Sequence, residues 1–182
     1  KPVARRPGSW PGPGRSARRW IAGDKIGRPT SMTDVHMPTL RQAGPDDWSD
    51  IRELLVESGL PVEDLDPDNL ARFLVAEDGD ELVGLIGLQV LGKTGLLRSL
   101  VVATQARKAG LGGKLVGALE SAAQAAGITE LWLLTIDADG FFARQGFDIV
   151  DRHTAPEKIR QTQEFSTLCP GSAYLMTKRL AE

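Results

Sequence analysis

Apolar and polar positions along the chain alternate between two rhythms, one near 3.6 residues and one of two, and each rhythm marks an element. Residues 39–43 read as a short strand. Trp48, Ile51, Leu54 and Leu55 then fall on one face of a helix that Asp46 can cap and that ends near Ser58. Asp66-Pro67 puts a proline at the start of a second short helix, which should end near Phe73. The runs 74–77 and 81–91 read as strands around the tight turn Asp78-Gly79-Asp80, and 95–102 as the next strand. Leu111, Leu115, Leu119 and Ala122 form the apolar stripe of a helix over 111–126. A strand over 130–136, a helical run from Gly140, a strand over 147–151, a helix from Pro156 to about Phe165 and a closing strand over 173–180 complete the series. Helices and strands interleave in the manner of a single α+β domain.

One junction in this series carries chemistry. Between the strand ending in Leu100-Val101-Val102 and the helix opening at Leu111 lies a short basic loop with Arg107, Lys108, Ala109 and Gly110, followed by Gly112 and Gly113. Glycines there let the backbone approach a ligand, and the unpaired N–H groups of the first helical turn favour negative charge. A phosphorylated ligand is expected at this place.

Residues 107–112, Arg-Lys-Ala-Gly-Leu-Gly, fit the pattern [QR]-x-x-G-x-[GA], which resembles the acetyl-CoA pyrophosphate loop of the GNAT N-acetyltransferases. Downstream, Gly140-Phe141-Phe142-Ala143-Arg144-Gln145-Gly146-Phe147 is similar to that family's helix beside the cofactor thiol. The resemblance covers residues 38–180. It implies the GNAT acyl-CoA N-acyltransferase fold, a mixed central sheet flanked by helices and splayed between its fourth and fifth strands. It also implies acetyl-CoA as cofactor, held by Leu100, Val101, Val102, Arg107, Lys108, Ala109, Gly110, Leu111, Gly112, Gly113 and Phe142. Leu100 and Val102 would contribute backbone contacts, and a backbone N–H there would polarise the acetyl carbonyl. A neutral amine would attack the thioester directly, much of the rate coming from alignment of the two.

The formal match of Gly87-Leu88-Gln89-Val90-Leu91-Gly92-Lys93-Thr94 to the phosphate loop G-x-x-x-x-G-K-[ST] is set aside. Its intervening residues are strand formers and another strand follows, so a hairpin turn at Gly92 with a solvated Lys93 is expected.

Charge divides the chain into two parts. Residues 1–31 contain eight Lys and Arg against the single acid Asp24, whereas the overall net charge is −2. This Pro-, Gly- and Arg-rich stretch has too little apolar content to fold alone. Residues 1–36 are therefore expected to be a disordered extension and 37–182 the catalytic domain, with Met32 resembling a natural start. The extension lacks the apolar core of a signal peptide, and no apolar run is long enough to span a bilayer. A single cysteine, Cys169, excludes an internal disulfide and fits the reducing cytoplasm. Neither nucleic acid nor a membrane is expected as partner, no metal site is expected, and pairing into a homodimer is left open.

The proton-transfer residues are less legible. The position where the family often carries a thiolate-protonating tyrosine is Phe142, which has no proton to give. Ser99, Tyr174 and Cys169 are the candidates to replace it, and Glu57 and Glu164 the candidate bases. The histidines His36 and His153 are poorly placed. For the acceptor, Arg98 stands on the central strand among apolar residues, where a guanidinium needs either a cleft facing an oxyanion or an ion pair with a carboxylate. Arg152 and Arg160 could join it in substrate binding. A narrower resemblance, carried by Gly59-Leu60-Pro61, by residues 95–100 and by Glu164-Phe165-Ser166-Thr167-Leu168-Cys169-Pro170, is to the ArsN-type acetyltransferases linked to arsenic resistance. It implies a small-molecule amine acceptor: the amino group of an acidic or oxyanion-bearing amino acid such as arsinothricin or phosphinothricin. Another amine acceptor, or an idle acyl-CoA sensor, are the alternatives.

Overall fold

The computed structural model describes residues 38–66 and 72–181. The basic extension and the short helix expected after Asp66 lie outside the described residues. Among those described, the elements run β1 (Thr39–Gln42), α1 (Trp48–Glu57), β2 (Phe73–Asp78), β3 (Glu81–Leu91), β4 (Thr94–Val102), α2 (Leu111–Ala125), β5 (Glu130–Thr135), α3 (Asp139–Arg144), β6 (Asp148–Val150), α4 (Glu157–Arg160) and β7 (Tyr174–Arg179). No helix among them is long and apolar enough to cross a membrane.

The strands form one seven-stranded sheet in the order β1-β2-β3-β4-β5-β7-β6. Every neighbouring pair is antiparallel except β4 and β5, which run parallel with α2 as their crossover. Alternation of side chains assigns the two faces. Leu74, Ala76, Leu97, Leu131 and Leu133 pack beneath α2 and α3 with Leu115, Leu119 and Phe142. Phe73, Val75, Leu85 and Val101 face the other way, onto Ile51 and Leu55 of α1. Farther along that second face, Leu96, Trp132, Leu134 and Leu175 pack on Ile159 of α4.

Three local expectations change. The cap of α1 is not made by Asp46: a single 3₁₀ turn over Pro45–Asp47 precedes the helix, and the Asp47 carboxylate accepts the Gly44 N–H at 2.6 Å. β2 opens at Phe73, one residue before the expected start at 74, and the Phe73 ring fills the space over Gly87 in β3. The helix expected to reach Phe165 stops at Arg160 and is followed by a π-helical turn over Glu164–Leu168. The hairpin between β3 and β4 forms as expected, with Gly92 at φ +84° and Lys93 exposed.

The strand rhythm also concealed a bulge. Leu85 pairs with Val101 and Gly87 with Arg98, so Ile86 stands opposite both Ser99 and Leu100. Ser99 absorbs the extra residue at φ +57°, the only non-glycine positive φ among the described residues. A serine there stores strain of order 1–3 kcal/mol. The inserted residue resets the alternation, so that Arg98 and Val101, three apart, lie on the same face.

Gly87 provides a test of the packing. A Cβ there would stand 2.7 Å from the Phe73 ring, which is buried and cannot swing away. Gly87→Ala should destabilise the fold by about 1–3 kcal/mol, read as a lower midpoint in denaturant unfolding.

Candidate functional site

The site begins where a ladder stops. β4 and β5 pair only at Thr94–Glu130, Gly95–Leu131 and Leu96–Trp132, yet β4 continues to Val102 and β5 to Thr135. The two strands therefore diverge and leave a gap of about 300 Å³. Leu97, Arg98, Ser99 and Leu100 line one side and residues 133–138 the other, with Phe142, Glu164, Leu168 and Cys169 completing the wall. The backbone of β4 beyond Leu96 has no ladder to β5, so its amides on that edge are left for a guest chain. A larger hollow of about 760 Å³ lies outside, between α1 and the β2–β3 turn. Asp50, Glu53, Glu57 and Glu81 line it, a charge set that repels phosphate.

At the open end of β4 the chain makes a 3₁₀ stretch over Thr104–Ala109 and turns at Gly110, φ +70°, into α2. Gly110 has open space where a Cβ would be, so its glycine serves the left-handed backbone conformation. Gly112 faces Phe141, 3.3 Å from a would-be Cβ, and Gly113 faces Gln145. Arg107 donates from Nε to the Val102 carbonyl at 3.0 Å, pinning the loop to the strand end with its side chain exposed. The side chains of Leu111 and Val101 are buried in the core, so of these two only the backbone is available to a ligand. Val102 and Leu100 are half-buried. The first turn of this fifteen-residue helix, a glycine turn without side chain and a cation beside it make a cradle for a pyrophosphate. The adjoining gap fits the extended arm of a coenzyme. Residues of this set would hold acetyl-CoA, whose thioester would supply the activated acetyl group.

Arg98 does not present a bare guanidinium to the gap. It is 8% exposed, and its two terminal nitrogens are held by Asp64, Nη1 by Oδ2 and Nη2 by Oδ1 at 2.8 Å. Its Nε–H donates to Ser99 Oγ at 3.4 Å, and Glu164 Oε2 lies 3.3 Å from the same nitrogen without accepting that hydrogen. The ion pair thus uses Arg98 where direct oxyanion binding was expected. Asp64 was missed because nothing in Glu63-Asp64-Leu65-Asp66 marks one acid over another. The available signal was the need of a buried arginine for a carboxylate.

Other expected residues are used elsewhere. Arg152 donates to the carbonyls of Phe165 (3.0 Å), Pro170 (3.2 Å) and Ala173 (3.4 Å) and lies 4.4 Å over the Phe165 ring. It closes a loop and is not a substrate ligand. Arg160 is exposed and paired with Glu157 at 2.6 Å, one turn away on its own helix. Tyr174 is 45% exposed at the start of β7 opposite Thr135, and it is not among the residues of the gap wall. Glu57 stands on the outer face of α1, and the exposed His153 is engaged by Asp151 at 2.7 Å. Ser99, Glu164, Cys169 and Phe142 do converge on the gap. Phe142 packs edge-on against Phe141 and Phe147 at 5.1 and 5.7 Å, filling the tyrosine position with a purely apolar wall. Burial, then the neighbouring Glu164, push the Cys169 thiol up to about 11, which keeps it neutral.

Arg152→Met should lower thermal stability through the three orphaned carbonyls while leaving the KM of any amine acceptor unchanged; a rise in that KM would return Arg152 to the acceptor site. Comparison with known proteins places the geometry. The family model of the acetyltransferase (GNAT) family matches residues 31–147. An uncharacterised N-acetyltransferase of Chlorobaculum tepidum is 29% identical over 93 residues, which is 50% of this chain and 59% of that protein. Among solved structures, N-acetylglutamate synthase of Neisseria gonorrhoeae, complexed with coenzyme A and N-acetyl-glutamate, superposes with a TM-score of 0.70 at 24% identity, over 80% of this chain and 35% of the synthase. A Mycobacterium tuberculosis protein in complex with CoA gives 0.67 at 23% identity, over 79% of this chain and all of that one. The chain thus spans well under two thirds of the length of both the Chlorobaculum relative and the synthase. Gly112→Glu, which drives a carboxylate against Phe141 and into the cradle, should abolish CoA binding in calorimetry with the fold retained by circular dichroism. Splayed strands, a glycine-turned helix N-terminus and a family match over more than half of the sequence agree: this chain belongs to the acetyltransferase (GNAT) family.

Proposed function

We propose that this chain is an acetyl-CoA-dependent N-acetyltransferase whose acceptor is the amino group of a small amino acid bearing a second anionic group. Amino acids of the arsinothricin and phosphinothricin kind belong to that class, with arsenic or antimetabolite resistance as the biological role. The observation that carries this reading is a second recess of about 370 Å³ that shares Arg98 with the gap. Arg72, Gln89, Gln161, Thr162 and Gln163 line it, together with the apolar Leu65, Phe73 and Leu88, Asp66, and Asp64, which is spent on Arg98. Arg72 is exposed there, and amide N–H groups beside a guanidinium suit a carboxylate or an arsinate- or phosphinate-type oxyanion. Arg98, held by Asp64, serves as the wall between donor and acceptor spaces. An amine extending from the recess past Arg98 meets the gap, where alignment with the thioester lowers the barrier. The Neisseria synthase, solved with an acetylated acidic amino acid, supports this reading by analogy.

A cationic acceptor is the second reading, favoured by the carboxylate-lined hollow beside Arg107. Thiol release from acetyl-CoA against a panel of phosphinothricin, arsinothricin, glutamate, spermidine and an aminoglycoside separates the two. Turnover with the anionic amino acids, together with a KM for them raised roughly 10-fold or more by Arg72→Ala, is the expected result. Turnover with the cations alone would move the acceptor to the outer hollow.

A further inference from the structure

Glu164 is the one group of the Arg98 cluster that packing does not use. Its residue is 8% exposed, it lines the gap, and its Oε2 is the only buried side-chain oxygen or nitrogen without a hydrogen-bond partner among the described residues. Such an oxygen is costly to leave unbonded, and a carboxylate kept only for structure would turn to satisfy it. Asp64 takes one hydrogen from each terminal nitrogen of Arg98 and Ser99 takes the Nε–H, so Nε, 3.3 Å from Oε2, offers it charge but no hydrogen. The local backbone explains the placement. The Cys169 N–H reaches the Glu164 carbonyl at 2.9 Å, an i to i+5 bond that widens the turn, and Glu164, Leu168 and Cys169 all line the gap. Single π-helical turns of this kind recur at functional sites.

We propose that Glu164 is the general base of the transfer, its carboxylate accepting the proton that the acceptor ammonium must lose before its nitrogen can attack, with Arg98 and Asp64 as positioning residues. The inference rests on the N-acetyltransferase reading and adds its missing proton acceptor. The balance closes: Glu164 takes one ammonium proton and passes it to water, the neutral nitrogen forms the C–N bond as the C–S bond breaks, and the nitrogen's next proton offsets the thiolate that leaves.

The charged and titratable groups facing Glu164 are Arg98 from β4, Asp64 from the loop after α1, and Cys169 at the end of its own turn, with Arg152 beside Cys169. Burial pushes the Glu164 carboxyl up to about 7, Arg98 pulls it down and Asp64 pushes it up. A carboxyl half-ionised near neutrality is matched to this task, and its active form is the deprotonated one, so activity rises with pH through about 7. The stability sign is opposite: a raised carboxyl favours folding below the ordinary carboxylate range, and that contribution is lost as pH rises to about 7.

The test is kcat and KM as functions of pH for the full chain, with acetyl-CoA and whichever amine of the panel the wild type turns over. Glu164→Gln should lower kcat about 100-fold, leave the KM for acetyl-CoA unchanged and remove the limb near neutrality. Asp64→Asn should release Arg98 toward Glu164 and move that limb to lower pH. A kcat for Glu164→Gln within about threefold of wild type, or an unmoved limb in Asp64→Asn, overturns the proposal. Should either variant fail to fold, the Glu164 carboxyl is titrated in the wild type by carbon NMR: a midpoint near neutrality supports the role, and one in the ordinary carboxylate range overturns it. Failure of the acceptor reading is distinct, since it shows in which amines the wild type accepts and not in the comparison of variants.

Discussion

Everything distinctive about this molecule follows from a parallel ladder that ends early. After Leu96 and Trp132 the two central strands have no further pairs, and their backbone groups must be satisfied by something other than each other. Three constraints keep them apart. The bulge at Ser99 turns β4 away from a regular pleat. Phe142, wedged between Phe141 and Phe147, fills the space beside the gap on the α2 face. On the opposite face, the π-helical turn brings Glu164 and Cys169 to the same wall.

The Arg98 cluster links those constraints to chemistry. Asp64 follows α1, Arg98 lies on β4 and Glu164 belongs to the turn before β7, so three distant parts of the chain meet around one guanidinium. Buried ion pairs contribute little net stability, because desolvation offsets their attraction, but they fix which groups meet and how. The bidentate Asp64 pair fixes where the Arg98 guanidinium lies. It stands between the gap and the recess, and it is the charge against which Glu164 is balanced.

Much of the fold was legible because its signals are local. The strands over 81–91 and 95–102, the hairpin at Gly92 and the stripe of Leu111, Leu115 and Leu119 depend on side-chain period and glycine backbone preference, which neighbours in sequence suffice to set. The turn at Gly110 into α2 was legible for the same reason, since a glycine turn into a helix is a contiguous motif. The bulge, the π-helical turn and the pairing of Arg98 were not. Each needs to know what lies across the sheet, and Leu96-Leu97-Arg98-Ser99-Leu100-Val101 reads as one unbroken strand until Ile86 is seen opposite two of its residues.

The sequence by itself determined the order of the described elements, the glycine turn into α2 and the apolar side chain of Phe142, all of them properties of a residue and its chain neighbours. Tertiary structure alone decided what the charged residues do. Arg98, Arg152 and Arg160 look equivalent in sequence, yet one is held by a distant aspartate, one clamps three carbonyls and one remains at the surface. A charge has no direction along the chain. Its role is set by which opposite charge, dipole or cavity the fold brings within about 4 Å, and that distance comes into being only when β4, the loop after α1 and the turn before β7 close on one another.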